Sequence, residues 1–226
     1  MNKKTDRQFD LLVFDWDGTL FDSISLIARC IQQACRDIGV EVPDVATAKS
    51  VIGLELSQAM QRVLDGLQPA QYQQMVECYR RHYFAAQHEV LLYPGAETFL
   101  QSCRDRGYML AIATGKGKRG LDEALKSVDI GHLFDATRTA EETTSKPDPL
   151  MLNELMMVLD TPASRTLMIG DTTHDIQMAV NAGVPSVAVS HGAHEVAELS
   201  VYTPEDGMLG IVDSIQALGD WLTQNG

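Results

Sequence analysis

Four short apolar runs, Leu11 to Phe14, Leu110 to Ala113, Leu167 to Ile169 and Ser186 to Val189, are each followed by small or polar residues and separated by helical periodicity. The economical solution for such alternation is a parallel sheet with helices on both faces. This predicts an α/β fold with a Rossmann-like, doubly wound core. Ligands of such sheets bind beyond the carboxyl ends of the strands. Those ends carry Asp15, Thr114, Gly170-Asp171 and Ser190-His191, all small or polar.

Residues 23–90 read differently. Ile24 to Ile38, Leu56 to Leu64 and Tyr72 to Gln87 have helical spacing with no convincing strand between them, and Pro43 and Pro69 divide the interval. Tyr93-Pro94-Gly95 marks the return to the sheet. The expected organisation is a core of residues 1–22 and 91–226 interrupted by an all-helical insert over 23–90. Val212 to Trp221 reads as a closing helix that packs Ile215, Leu218 and Leu222, and Glu141-Glu142 as a solvated loop.

A formal net charge of −13 argues against nucleic acid or an anionic membrane as partner. An anionic ligand would need that field reversed locally by lysines, a metal ion or helix N-termini. The opening residues, Met1 to Arg7, lead into no long apolar segment, so neither a signal peptide nor a membrane span is expected, and the location expected is cytoplasmic. Cys30, Cys35, Cys78 and Cys103 lack ligand-like spacing and read as free thiols. Oligomeric state stays open between monomer and homodimer.

Asp15 and Asp17 directly follow the apolar run Leu11-Leu12-Val13-Phe14. A carboxylate at the edge of a core costs several kcal/mol unless a cation, hydrogen bonds or a proton compensates it. Folding a parallel sheet brings these two acids to one edge with Asp171 and Asp175. Either some of the four hold protons or a hard divalent cation binds among them, and Mg²⁺ suits carboxylate, carbonyl and water oxygens shared with a phosphate. Thr114-Gly115-Lys116 follows a strand and opens a helical stretch, which turns a hydroxyl and free N–H groups toward that edge. Lys146, fixed before Pro147, supplies a point charge of restricted backbone.

At these residues the chain resembles the haloacid dehalogenase-like phosphohydrolases, which carry DxDGT, a Ser or Thr after a second strand, a separate Lys and a GDxxxD-type acidic end. Here the corresponding residues are Asp15-Trp16-Asp17-Gly18-Thr19, Thr114, Lys146 and Gly170-Asp171-Thr172-Thr173-His174-Asp175. The helical insert is similar to the cap of the phosphoglycolate phosphatase-like branch. The resemblance implies that Asp15 is the nucleophile and forms an aspartyl-phosphate, and that Asp17 protonates the leaving group and then activates water. It implies that Thr114 and Lys146 hold the phosphoryl oxygens. Mg²⁺ would bind Asp15, the main-chain carbonyl of Asp17, and Asp171. Asp175 would orient Lys146 or the metal's waters, Gly18 would permit the tight turn, and Thr19 and Asp22 would support it.

The substrate implied is a small phosphorylated metabolite such as 2-phosphoglycolate, another phosphorylated acid or a sugar phosphate, touched by Gly53, Gly115 and Lys116. Members that cleave carbon–halogen or phosphonate bonds generally lack an acid at the position of Asp17, which favours phosphate esters. A sugar phosphomutase is the alternative enzyme, disfavoured because Glu55 and no nearby Arg follows Gly53. A non-catalytic binding protein would have been expected to lose one of the motif residues. Arg80, Arg81 and His82 read as a solvated basic face before a second anion site, Lys118 as a weaker aid than Lys116, and His191 and His194 as structural.

Overall fold

The computed structural model describes residues 7–226, so the expectation of no leader in the opening residues falls on a stretch that lies mostly outside the described residues. In chain order the elements are β1 (Leu11–Phe14), α1 (Ile24–Ile38), α2 (Val45–Lys49), α3 (Leu56–Val63), α4 (Pro69–Ala86), α5 (Ala96–Asp105), β2 (Met109–Thr114) and α6 (Lys118–Val128). They continue with β3 (Ala136–Thr139), α7 (Leu150–Val158), β4 (Thr166–Gly170), α8 (Thr173–Ala182), β5 (Ser186–Val189), α9 (Val196–Leu199), β6 (Met208–Val212) and α10 (Ile215–Asn225). No helix among the described residues is long and apolar enough to cross a membrane.

The strands form one parallel sheet in the order β3-β2-β1-β4-β5-β6. The chain builds outward from β1 through β2 to β3, then returns to lay β4 on the other side of β1. Strand order therefore reverses between β1 and β4, where a doubly wound sheet opens its ligand crevice. Every residue of β1 is buried because helices cover both faces, which is why it reads as an unbroken apolar run. Its side chains alternate between two cores. Leu12 and Phe14 pack with Leu110, Ile112, Leu167 and Ile169 under α5, α6 and α10. Leu11 and Val13 pack with Ala111, Ala113 and Met168 under α7 and α8.

Two strands were not expected. β3 has the sequence Ala-Thr-Arg-Thr on a sheet edge, and β6 occupies the other edge with Gly210 inside it. Val212, expected in the last helix, ends β6 instead, and α10 begins at Ile215 behind the Ser214 cap. All four cysteines are free, and Cys30, Cys35 and Cys103 are buried.

The helical insert leaves and rejoins the core at one place. Asp22 N–H donates to Leu91 C=O and Tyr93 N–H to Leu20 C=O, both at 2.9 Å, so the outgoing and returning chains are stitched together beside β1. Within the insert α1 turns Ile27, Ile31, Ala34 and Cys35 inward at helical spacing and packs along α4, and Gly39 ends it in a left-handed conformation. Pro69 starts α4 at its first position, where the missing N–H costs nothing. Met60 and Met75 fill the middle of this bundle, fully buried.

Candidate active site

Asp15, the first residue beyond β1, lies at the strand reversal and is 1% exposed. Its Oδ1 accepts from Trp16 N–H at 2.7 Å and pairs with Lys146 Nζ at 2.8 Å, while Oδ2 is buried with no partner. Lys146 comes from the loop before α7, is fully buried, and its Nζ also lies 2.6 Å from Asp175 Oδ1. The Lys146-Pro147 peptide is cis.

Asp175 owes its position to helix capping. Thr172 is the N-cap of α8, and Asp175, three residues on, accepts at Oδ2 from Thr172 N–H (3.0 Å) and Thr172 O–H (2.7 Å). One carboxylate oxygen is thereby consumed in starting the helix and the other is left facing Lys146. Asp171, at the end of β4, accepts from Thr19 O–H at 2.7 Å and from Ala193 N–H at 2.8 Å. Gly18 lies against it at φ 87°, and a Cβ there would stand 2.3 Å from Asp171 Oδ2, so neither the turn nor the space admits a side chain.

Carboxylate oxygens of Asp15, Asp171 and Asp175 all lie within 4.8 Å of one another. Burial pushes Asp15 up to about 7 against the pull of Lys146. Burial, then the charges of Asp15 and Asp175, drives Asp171 well above the usual carboxylate range despite its two donors. Burial alone would depress Lys146, but Asp15 and Asp175 more than offset it and hold the ammonium above its ordinary range. Three buried carboxylates therefore share one ammonium. The deficit of positive charge, the all-oxygen donor set and the orphaned Asp15 Oδ2 fit a hard divalent cation.

Asp17 stands apart from this cluster. Its Oδ1 accepts from Ser23 O–H at 2.7 Å, and Lys116 Nζ spans Oδ1 and Oδ2 at 3.1 and 3.0 Å. The four acids expected at one edge thus divide into a triad and a separate, lysine-paired carboxylate. Both side-chain oxygens of Asp17 are therefore engaged away from the triad. Thr114, buried at the end of β2, accepts from Lys116 N–H at Oγ1 (3.1 Å), which folds the β2–α6 loop back over the site.

The backbone of the helical insert meets the core at three positions, Gly53, Glu55 and Ser50. Gly115 lies so near the loop after α2 that a Cβ would stand 2.3 Å from Gly53 C=O. Glu55 N–H donates to Ser145 Oγ at 2.9 Å, next to Lys146. The imidazoles of His174 and His194 reach Ser50 C=O at 3.3 and 3.4 Å. Between insert and core lies a cavity of about 350 Å³ with Asp15, Asp17, Thr114, Gly115, Lys116 and Gly53 on its lining.

Other candidates lie elsewhere. Arg81 and His82 pair with Asp37 on the surface, and Lys118 pairs with Asp122. Arg80 borders the cavity but reaches Glu141 at 3.5 Å, and Glu141 also accepts from Lys118 N–H, so it is an engaged side chain and not merely a solvated loop residue. His191 Nε2–H donates to Thr19 C=O (3.1 Å), against the ring of Tyr93. Asp22 is exposed, and Thr19, expected only to support the turn, holds Asp171. Three participants went unnoticed in the sequence: Ser23 on Asp17, Ser145 on Glu55, and Tyr83, whose hydroxyl accepts from Lys116 Nζ at 2.8 Å. Ser23 alone left a trace, as a Ser immediately before a helix.

Residues 12–189 match the family model described as haloacid dehalogenase-like hydrolase. Among curated proteins, the chain is 31% identical over 202 residues to the probable phosphatase IndB of Dickeya dadantii, covering 86% of this chain and 87% of that one. It is also 31% identical over 204 residues to a phosphoglycolate phosphatase of Aliivibrio fischeri, covering 86% and 90%. The fold is shared with the crystal structure of a hydrolase from Pseudomonas syringae, at TM-score 0.85 and 22% identity over 95% of this chain and 98% of that one.

Proposed function

This chain belongs to the haloacid dehalogenase-like hydrolases, in their phosphoglycolate phosphatase-like branch, and from that premise we propose that it is a cytoplasmic, Mg²⁺-dependent phosphatase of a small phosphate monoester. We take residues 23–90 as its cap and residues 1–22 with 91–226 as its catalytic core.

The observation that carries this reading is Asp15 Oδ2: a buried carboxylate oxygen without a partner, on a residue that borders the cavity and whose other oxygen is held by Lys146 and Trp16 N–H. A carboxylate fixed through one oxygen and bare at the other is prepared as a nucleophile. Asp15 Oδ2 attacks phosphorus, the ester P–O bond breaks, and Asp17 gives its proton to the departing alkoxide. Asp17 then takes a proton from water as that water attacks the aspartyl-phosphate, which releases inorganic phosphate and restores Asp15. Thr114 and Lys146 hold phosphoryl oxygens, and Lys116 and the N–H groups around Gly115 carry the rest of the anion.

Asp15, Asp171 and the main-chain carbonyl of Asp17 would hold Mg²⁺, with Asp175 behind them. The ion, when bound, supplies charge neutralisation for the phosphoryl group. The relatives named phosphoglycolate phosphatase make 2-phosphoglycolate one candidate substrate.

The test is phosphate release from an aryl phosphate by wild type and by Asp15→Asn. Turnover is expected to vanish in the variant while its thermal unfolding stays cooperative, and to stop in wild type on chelation and return with Mg²⁺. Substantial turnover by Asp15→Asn would remove Asp15 from the nucleophile role.

A further inference from the structure

The cavity above Asp15 and Asp17 is polar at its floor and apolar along its walls. On the side of the insert the cavity is lined by Ile52 and Leu54 of the loop after α2 and by Tyr79 and Phe84 of α4, with Glu55 and Arg80 among them, while Ile31 and Met60 behind them are buried. The cations bordering it are already engaged. Lys116 Nζ lies on Asp17 and Tyr83, and Arg80 faces Glu141. Arg119 Nε donates to Glu123 at 2.8 Å, and its guanidinium lies 4.9 Å over the ring of Phe84.

A phosphorylated acid that carried its second charge into this upper space would have to compete with Glu141 and Glu123 for Arg80 and Arg119. A sugar phosphate would bring several hydroxyls against Ile52, Leu54 and Phe84, and those that do not reach Glu55, Tyr79 or Arg80 lose hydrogen bonds to water without replacement. A hydrocarbon body loses nothing on entering and gains by leaving water. The cavity, at about 350 Å³, also exceeds what a two-carbon ester occupies.

Resting on the phosphatase reading above, we infer that the preferred substrate is the phosphate monoester of a predominantly apolar alcohol, an alkyl or arylalkyl chain that packs on the wall of the cap, turned over better than a phosphorylated acid or sugar. The specificity-determining residues are Ile52, Leu54, Tyr79 and Phe84. None of them touches the reacting phosphorus, so they act through binding of the leaving group.

The test is a series of primary alkyl phosphates, from ethyl through butyl and hexyl to 3-phenylpropyl, set beside glycerol 1-phosphate and 2-phosphoglycolate in the same Mg²⁺ buffer. Simple alkanols are leaving groups of nearly constant basicity, so kcat/KM along the series reports the cavity and not the chemistry. It is expected to rise about threefold per methylene until the cavity is full. Phe84→Ser, at a partly exposed position, is expected to lower the hexyl-to-ethyl ratio of kcat/KM about tenfold while thermal unfolding stays cooperative.

A flat series, or 2-phosphoglycolate or glycerol 1-phosphate turned over better than hexyl phosphate, overturns the inference and leaves the phosphatase reading standing. Absence of Asp15-dependent turnover on every ester, aryl phosphate included, overturns the phosphatase reading and the inference together.

Discussion

The hydroxyl of Tyr83 lies 2.8 Å from Lys116 Nζ, and the same ammonium spans both carboxylate oxygens of Asp17. Tyr83 belongs to α4 of the helical insert, Lys116 to the loop after β2 and Asp17 to the turn after β1, so one hydrogen-bonded chain links the insert to the proposed acid and base. The ammonium also sits 4.2 Å from the centre of the Tyr83 ring. Tyr83→Phe keeps the ring and removes one acceptor. We expect kcat to fall about fivefold, the worth of one ordinary hydrogen bond, with thermal stability nearly unchanged. A purely packing role predicts no change in kcat, and a shifted pH–kcat profile in Tyr83→Phe would distinguish positioning of Asp17 from packing.

Among the described residues Lys146 is the only cation paired with the buried triad, and removing it isolates charge that the fold cannot hydrate. Lys146→Met is therefore expected to abolish phosphate release and to cost about 3 kcal/mol or more in urea unfolding. Lys146→Arg is expected to restore neither, because the site is sealed and a planar guanidinium needs more room than an ammonium. An unfolding midpoint unchanged in Lys146→Met would mean that the acids already hold protons in the folded protein.

What the sequence shows of this fold follows burial. β1 and β4 lie side by side in the middle of the sheet, covered on both faces, and announce themselves as apolar runs. β3 and β6 close the edges, where half-covered strands tolerate Thr137, Arg138 and Gly210, so their patterns are faint. The acids are legible for a related reason: Asp15 and Asp171 interrupt or end apolar segments, which packing never asks for. What surrounds them is not legible. Tyr83 looks like any half-buried helical aromatic, and Ser23 looks like an ordinary N-cap while its hydroxyl is spent on Asp17. The three-way division of labour among Lys146, Lys116 and Thr19 depends on which loops fold over one another, a long-range property that spacing along the chain does not encode.

Metal binding is expected to register as stability before it registers as turnover. Mg²⁺ at one hundred times its dissociation constant stabilises the folded chain by about 2.7 kcal/mol if it binds only that state. Differential scanning should show an upward shift of several degrees in wild type. Asp171→Asn removes one carboxylate of the triad while Ala193 N–H can still donate to the amide oxygen and Thr19 Oγ1 can accept from the amide N–H, so the variant is expected to fold and to lose the shift. An equal Mg²⁺ shift in Asp171→Asn would place the ion elsewhere.

At the opposite end of β1 the charge balance is reversed. Asp10 receives two bonds from Arg165, Nε to Oδ2 at 2.8 Å and Nη2 to Oδ1 at 2.9 Å, and a third from Arg7 Nε at 3.0 Å. The Arg165 bonds, helped by Arg7, hold its carboxyl below the usual range. A carboxyl lowered on folding stabilises the protein at any pH above its unfolded value, near 3.8, and loses that contribution as pH falls through the folded one. The groups are partly exposed, so screening limits the pair to about 1 kcal/mol. Asp10→Asn should therefore unfold at lower urea than wild type by a gap that is constant from about pH 7 to about pH 5 and narrows below about pH 4. A gap that persists undiminished into acid would mean that the asparagine fails for reasons of packing, and that the Arg165 pair adds nothing to the anchoring of β1.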